Sequence, residues 1–381
     1  MTQIETHLGL TAGDATARVL ARAQAYVEHE TPSRDADAIA ALATVIARDL
    51  ETAGATVDIR PVPGYGANIV ARVPGRTPGP AVLVMAHMDT VHPAGTLLAR
   101  PFRIEDGRAY GPGIYDMKTG IAVAVESLMW LRDRQMQPLH DVELLITCDE
   151  EIGSHSAHDL IVERARAASV VLVPEPCMPD GGVKTFRKGV ATYRVKARGR
   201  AAHAGIDGAA AVSATAELIR ALAAALDLAD HPRGTTINVG TISGGTASNV
   251  VAAEAEALVD VRLAEPAEGE RVHAALTSLT ARHPEAGLEV TLSESRPPLV
   301  RTDAVAGLYE RARDLAKGLG VDLMEGGTGG GSDGSIAAAA GAATLDGLGA
   351  QGGGAHADNE HIVLADLPFR LALFTRLLES L

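Results

Sequence analysis

DVELLITCDEEIGS (Asp141–Ser154) begins as an apolar run and ends in three consecutive acids, Asp149, Glu150 and Glu151, with Gly153 two residues on. A nearly continuous apolar run of this length fits a strand buried on both faces, the pattern of a parallel sheet. Charged side chains are rarely buried unless paired or bound to metal. A buried strand that delivers three carboxylates therefore calls for cations. In open α/β sheets, functional groups gather at the carboxyl ends of the strands.

The neighbouring sequence repeats the pattern. AVLVMAH (81–87) ends at His87, with Asp89 two residues later, and SVVLVPE (169–175) ends at Glu175. Helical spacing marks DATARVLARAQAYVEHE (14–30) and DADAIAALATVIARDLETAG (35–54) ahead of these runs and GIAVAVESLMWLRDRQ (120–135) between them. ATVDIRPV (55–62) and NIVARV (68–73) read as further strands. Buried strands alternating with helices predict an α/β domain with a mostly parallel sheet. One strand ending in a polar residue is ordinary. Three that end in histidine and glutamates carry the residue types of a metal site.

Near Arg187 the texture changes. GVATYRVKARGR (189–200) alternates apolar and polar residues, as a half-exposed strand does. The following segments give the order strand–helix–strand–strand–helix–strand, which predicts an open antiparallel sheet with two helices on one face, an α+β (ferredoxin-like) unit. The paired prolines of RPPLVRT (296–302) mark its exit. Residues 187–298 are thus expected to form a second domain inserted into a first one made of 1–186 and 299–381. The glycine-rich stretches EGGTGGGSDGS (325–335) and GAQGGGAHADNE (349–360) read as loops.

The 381 residues carry a net charge of −14 with 46% hydrophobic content. The length favours two cores over one. An acidic chain repels nucleic acid and anionic membrane, so neither is an expected partner. Two cysteines, Cys148 and Cys177, are too few for a disulfide framework. The first residues lack a basic segment followed by an apolar core, and no apolar run approaches the ~20 residues that span a bilayer. A cytoplasmic protein is expected.

Two loop residues join the candidates. Asp116 precedes a helix, where a carboxylate also has an ordinary reading as a partner of the helix dipole. His356 sits after three glycines, which permit close approach of the backbone; its ordinary reading is a surface histidine. His92 is expected to line the pocket at most, His155 and His158 to lie on the surface, and the cysteines to be buried and structural.

In order along the chain, HMDTVHP (87–93), YGPGIYDMKTG (110–120), TCDEEIGS (147–154), VPEP (173–176), GRAAHAG (199–205) and GGGAH (352–356) resemble the motifs of the di-zinc metallopeptidases. That family includes glutamate carboxypeptidase, aminoacylase, acetylornithine deacetylase and succinyl-diaminopimelate desuccinylase. The resemblance is greatest to bacterial glutamate carboxypeptidase. It implies a zinc-hydrolase catalytic domain, a dimerisation (lid) domain at 187–298, and two Zn²⁺ per subunit, with Co²⁺ or Mn²⁺ as substitutes.

By position, the resemblance gives His87 and Glu175 to one metal and Glu151 and His356 to the other. Asp116 bridges them and is followed by a cis peptide, and Asp89 fixes the His87 ring. Glu150 becomes the general base acting on a metal-bridging hydroxide. Asp149 is left to local structure.

The resemblance extends to the inserted domain. His203 is implied to reach the active site of the other subunit of a homodimer and to steady the oxyanion. Asn249 and Arg296 are implied to contact substrate, with Gly331 and Ser332 of GGGSDG (329–334) offering backbone N–H groups to the same carboxylate. After His203 the chain reads IDGAAA (206–211), where the family often has proline and an acid.

The implied reaction is hydrolysis of an amide in a small peptide or N-acyl amino acid. Glutamate at position 175 goes with carboxypeptidases and deacylases in that family, whereas aspartate is usual in aminopeptidases. An N-acyl-amino-acid deacylase and a dipeptidase are the alternatives within enzymes. A catalytically silent scaffold of the same fold is the alternative outside them, and an intact Glu150 argues against it.

Overall fold

A computed structural model describes residues 1–207 and 210–381. The chain divides into two compact units. One comprises Met1–Phe186, Leu299–Thr328 and Ser332–Leu381; the other comprises Arg187–Pro298 with Gly329–Gly331.

The larger unit is built on a six-stranded sheet in the order Thr56–Val62, Gly66–Val73, Val142–Thr147, Val82–His87, Val170–Leu172, Thr344–Leu345. The last four run parallel, and the first two form an antiparallel edge. Val82–His87 and Val142–Thr147 are buried along nearly their whole length. Helices Ala12–Val27, Ala36–Thr52, Thr119–Asp133 and Leu367–Ser380 supply the main core against one face. His158–Ala167 and Asp333–Ala339 cover Val70, Leu83, Met85, Leu145 and Val171 of the sheet. This is the mixed α/β architecture with a mostly parallel centre that the apolar runs predict.

The register decides where the chemistry goes. His87 lies opposite Thr147 in the parallel pair, so the turn after Thr147 and the His87 side chain emerge at the same edge of the sheet. The third strand stops short of the sequence reading: it ends at Leu172 rather than at Glu175. Val173 still donates to Leu345, at 2.9 Å, but Pro174 has no N–H to continue the ladder. Glu175 is held instead by close packing. A Cβ on Gly120, at the start of Thr119–Asp133, would lie 1.8 Å from the Pro174 carbonyl oxygen, so only glycine lets that helix approach the segment.

Both glycine-rich stretches read as loops contain regular structure. Glu325–Thr328 is a strand paired with Val183–Arg187, and a helix starts at Asp333. Gly352–Gly353 pairs with His361–Val363 in a small antiparallel sheet completed by Arg108–Tyr110 and Arg103–Glu105. Pairing with a partner strand overrides the low strand propensity of glycine. That small sheet sets the hairpin bearing His356 beside the strand that leads into the Asp116 loop.

The second unit has strands in the order Thr236–Gly244, Glu254–Leu263, Gly189–Arg198, Gly287–Arg296, all antiparallel. Helices Ala214–Leu226 and Pro266–Thr277 pack with alternate strand residues, Tyr193, Val195, Val259 and Val261 among them, into a core of its own.

Candidate metal centre

The edge of the larger sheet gathers residues from five separate segments. His87 ends its strand, with Nδ1 3.0 Å from the Asp89 main-chain oxygen. That bond puts the proton on Nδ1 and leaves Nε2 as the donor atom facing the site. The Asp89 carboxylate, fully buried, accepts the backbone N–H groups of Glu150 at 3.1 Å and Glu151 at 3.2 Å. It therefore aims the two glutamates as well as flanking His87, from whose Nδ1 its Oδ1 is 3.5 Å away. Asp149 faces away from them: its Oδ2 accepts the Ser156 N–H at 2.7 Å and closes the following turn.

Asp116 divides its two oxygens. Oδ1 lies 3.2 Å from His87 Nε2, and Oδ2 lies 3.4 Å from His356 Nε2. Glu175 Oε1 is 3.5 Å from the same His87 nitrogen, and Glu151 Oε2 is 3.1 Å from the same His356 nitrogen. Two histidine–glutamate pairs thus flank one aspartate, with one oxygen for each pair. Donor atoms of His87, Asp116 and Glu151 all fall within 4.8 Å of one another. The Asp116–Met117 peptide is cis.

The electrostatics show a surplus of negative charge. Burial alone would push the His87 pKa down, but Asp116, Asp89 and Glu175 outweigh it and raise it well above the ordinary value. His356, half-exposed, is raised to about 10 by Asp116 and Glu151. Burial would lift Asp116; hydrogen bonds from His356 and His87 reverse this and hold it far below the usual carboxylate range. Burial pushes Glu151 upward. In each histidine, a proton fills the place that a cation would take. Four carboxylates, Asp116, Glu150, Glu151 and Glu175, would balance the charge of two divalent ions, and imidazole nitrogen with carboxylate oxygen is a donor set that zinc accepts. The residues fit the metals that the motifs imply.

Glu360 and Lys118 were not foreseen from the sequence, and His92 only as a residue lining the pocket. Glu360 and His92, both buried, hydrogen-bond to each other behind the Asp116 loop at 2.6 Å. An acid four residues after His356 was the available signal for Glu360. Lys118 is 1% exposed, donates to the His29 carbonyl at 2.7 Å, and is pushed down to about 7 by burial. His155 and His158 are exposed. Cys148 and Cys177 are free, buried thiols pushed up by burial to about 12 and about 11.

The remaining candidates lie elsewhere. In the second unit, His203 pairs with Val250 across a β-bridge, and Ala204 N–H donates to the Asn249 carbonyl at 2.9 Å, so His203 and Asn249 are neighbours. Within IDGAAA, residues 208 and 209 fall outside the described residues. Arg296 ends its strand, and a Cβ on Gly331 would lie 3.2 Å from its Cδ. Arg187 donates to the Gly331 carbonyl at 2.9 Å and Arg262 to that of Gly329 at 3.2 Å. In the larger unit, Ser332 caps the helix Asp333–Ala339; its hydroxyl donates to Asp346 at 2.7 Å and accepts the Gly334 N–H at 3.1 Å.

Comparison with known proteins agrees with this chemistry. Carboxypeptidase G2 of Pseudomonas sp. (strain RS-16) is 33% identical over 380 residues, covering 97% of this chain and 91% of that protein. Succinyl-diaminopimelate desuccinylase of Alkalilimnicola ehrlichii is 29% identical over 313 residues, covering 76% and 80%. In fold, the crystal structure of aminopeptidase PepT from Bacillus cereus ATCC 10987 matches with a TM-score of 0.80 at 24% identity, over 96% of this chain and 98% of that one. The model of peptidase family M20/M25/M40 matches residues 83–380. The chain is a hydrolase and belongs to the M20/M25/M40 family of metal-dependent peptidases.

Proposed function

We propose that this protein hydrolyses the amide bond of a small peptide or N-acyl amino acid bearing a free C-terminal carboxylate, in the manner of a glutamate carboxypeptidase, with two zinc ions per subunit. The observation that carries the reading is the divided Asp116 carboxylate, one oxygen toward His87 and Glu175 and the other toward His356 and Glu151. These five residues would hold the metals, with Asp116 shared. Zinc in such a pair polarises the scissile carbonyl and lowers the pKa of water toward neutrality. Glu150, anchored through its N–H to Asp89, takes the proton from the attacking water and returns it to the leaving amine nitrogen. Asp89 keeps the His87 ring and the Glu150–Glu151 turn in register.

The substrate side rests on the family resemblance and on the extent of the match to carboxypeptidase G2. Arg296 grips the terminal carboxylate, Asn249 contacts the substrate, and Gly331 and Ser332 lend backbone N–H groups. His203 steadies the oxyanion in the partner subunit of a homodimer formed through residues 187–298. Two unpaired cysteines suit a reducing compartment, the cytoplasm. No helix among the described residues is long and apolar enough to cross a membrane.

The test is a panel of N-acyl-glutamates, other N-acyl amino acids and dipeptides, assayed on chelator-stripped protein with and without added zinc. Zinc-dependent release of a C-terminal amino acid is expected. Binding of these compounds with no turnover on any of them would instead identify a silent scaffold.

A further inference from the structure

We propose that Glu360 is the positioning residue of the metal centre: a single buried carboxylate that locks the Asp116 loop to the His356 hairpin. The inference rests on the two-metal reading above. The Asp116 loop is irregular, so its backbone N–H groups lack the partners that a helix or sheet would give them. Glu360 supplies these partners. Its Oε1 accepts from the N–H groups of Tyr115 at 2.9 Å and Asp116 at 3.0 Å. Its Oε2 accepts from Gly113 at 2.8 Å and from His92 Nε2 at 2.6 Å.

Two donors on each oxygen occupy the roughly four acceptor positions of a carboxylate. Glu360 is 3% exposed, and with both oxygens engaged it is a support for Asp116 and not a further metal ligand. The His92 proton can be assigned. Arg100 Nη2, which only donates, lies 3.5 Å from His92 Nδ1, so Nδ1 accepts and the proton sits on Nε2, facing Glu360. Arg100 also reaches the Ala357 carbonyl at 3.3 Å and the Asp358 carboxylate at 3.0 Å, between His356 and Glu360. One chain of contacts therefore runs from the His356 hairpin through Glu360 to the main chain of the shared ligand. Because Asp116 offers an oxygen to each half of the centre, loosening it weakens both halves together.

The substitution Glu360→Gln isolates this role. The amide keeps the shape but replaces one acceptor oxygen with a donor, which then meets N–H groups head-on. Zinc affinity is measured by chelator competition on the folded, metal-free protein, at a temperature below the unfolding of every variant. We expect Glu360→Gln to weaken zinc binding at both sites by about 10–100-fold, the range for partners that orient ligands. Glu360→Asp, which keeps the charge, should fall between the variant and the wild type. A merely structural glutamate would lower the melting temperature of the metal-free protein and leave zinc affinity unchanged, and that result overturns the assignment. If Glu360→Gln does not fold, His92→Leu decides: weakened zinc binding supports the proposal, and wild-type affinity refutes it. A wild-type protein that takes up no zinc refutes the metal centre itself, and this assignment with it.

Discussion

Glu150 and Glu151 are adjacent in sequence and differ in what surrounds them. Both N–H groups are fixed by Asp89, but the Glu151 carboxylate lies 3.1 Å from His356, within the proposed metal-ligating cluster. Glu150→Gln is expected to lower kcat by several orders of magnitude while zinc content stays at the wild-type level. Metal analysis beside single-turnover kinetics checks this, and loss of zinc in that variant would mean that the two glutamates have exchanged roles. The pair was legible in the sequence as candidates. Asp89 was legible only as a partner of His87; its grip on the glutamate turn depends on two strands lying side by side, which residue types do not encode. Glu360 was harder still, because three of its four bonds go to backbone N–H groups of a distant loop, and backbone groups leave no mark in a sequence.

At the scale of the element, the long helices and buried strands follow their apolar periodicity, and the short pieces do not. Gln3–Leu8 is one of the latter, a short helix capped by Thr2 and Glu5. It presses His7 onto Trp130 of Thr119–Asp133, with ring centroids 5.2 Å apart. Burial, with Arg376 and Arg134 adding repulsion, lowers the His7 pKa from 6.5 to about 4. The Glu379 carboxylate is 3.8 Å away, beyond hydrogen-bond reach. The folded state therefore resists a proton that the unfolded chain accepts. Stability held above pH 6.5 is lost as the pH falls toward the folded value, by at most about 2 kcal/mol at pH 5. Thermal unfolding at pH 7 and pH 5 tests this: His7→Phe, which keeps the stacking and cannot titrate, should lose less stability over that interval than the wild type. An equal loss in both proteins would discharge His7 from the role.

At the scale of the molecule, two units with separate hydrophobic cores share one chain, and the second interrupts the first. All five proposed metal ligands and Glu150 belong to the larger unit, whereas His203, Asn249 and Arg296 belong to the other. The proposed dimer makes a direct prediction. His203→Ala and Glu150→Gln proteins, each inactive, should regain about one quarter of wild-type activity when unfolded, mixed and refolded, because half of the symmetric dimers are then mixed and each holds one intact site. No recovery, with mixed dimers demonstrated by differential tagging, would argue against a site completed across subunits. By itself the sequence determined the parallel-sheet core and the strand–helix order of the second unit, because periodicity is a local property of the chain; the residues of the proposed metal centre came from strand ends together with the resemblance of the motifs. Only the tertiary structure decided which Asp116 oxygen faces which histidine, where the strand before Glu175 stops, and that Glu360 supports the Asp116 loop. Each of these is a contact between segments far apart in sequence, fixed by sheet register and close packing rather than by any local pattern.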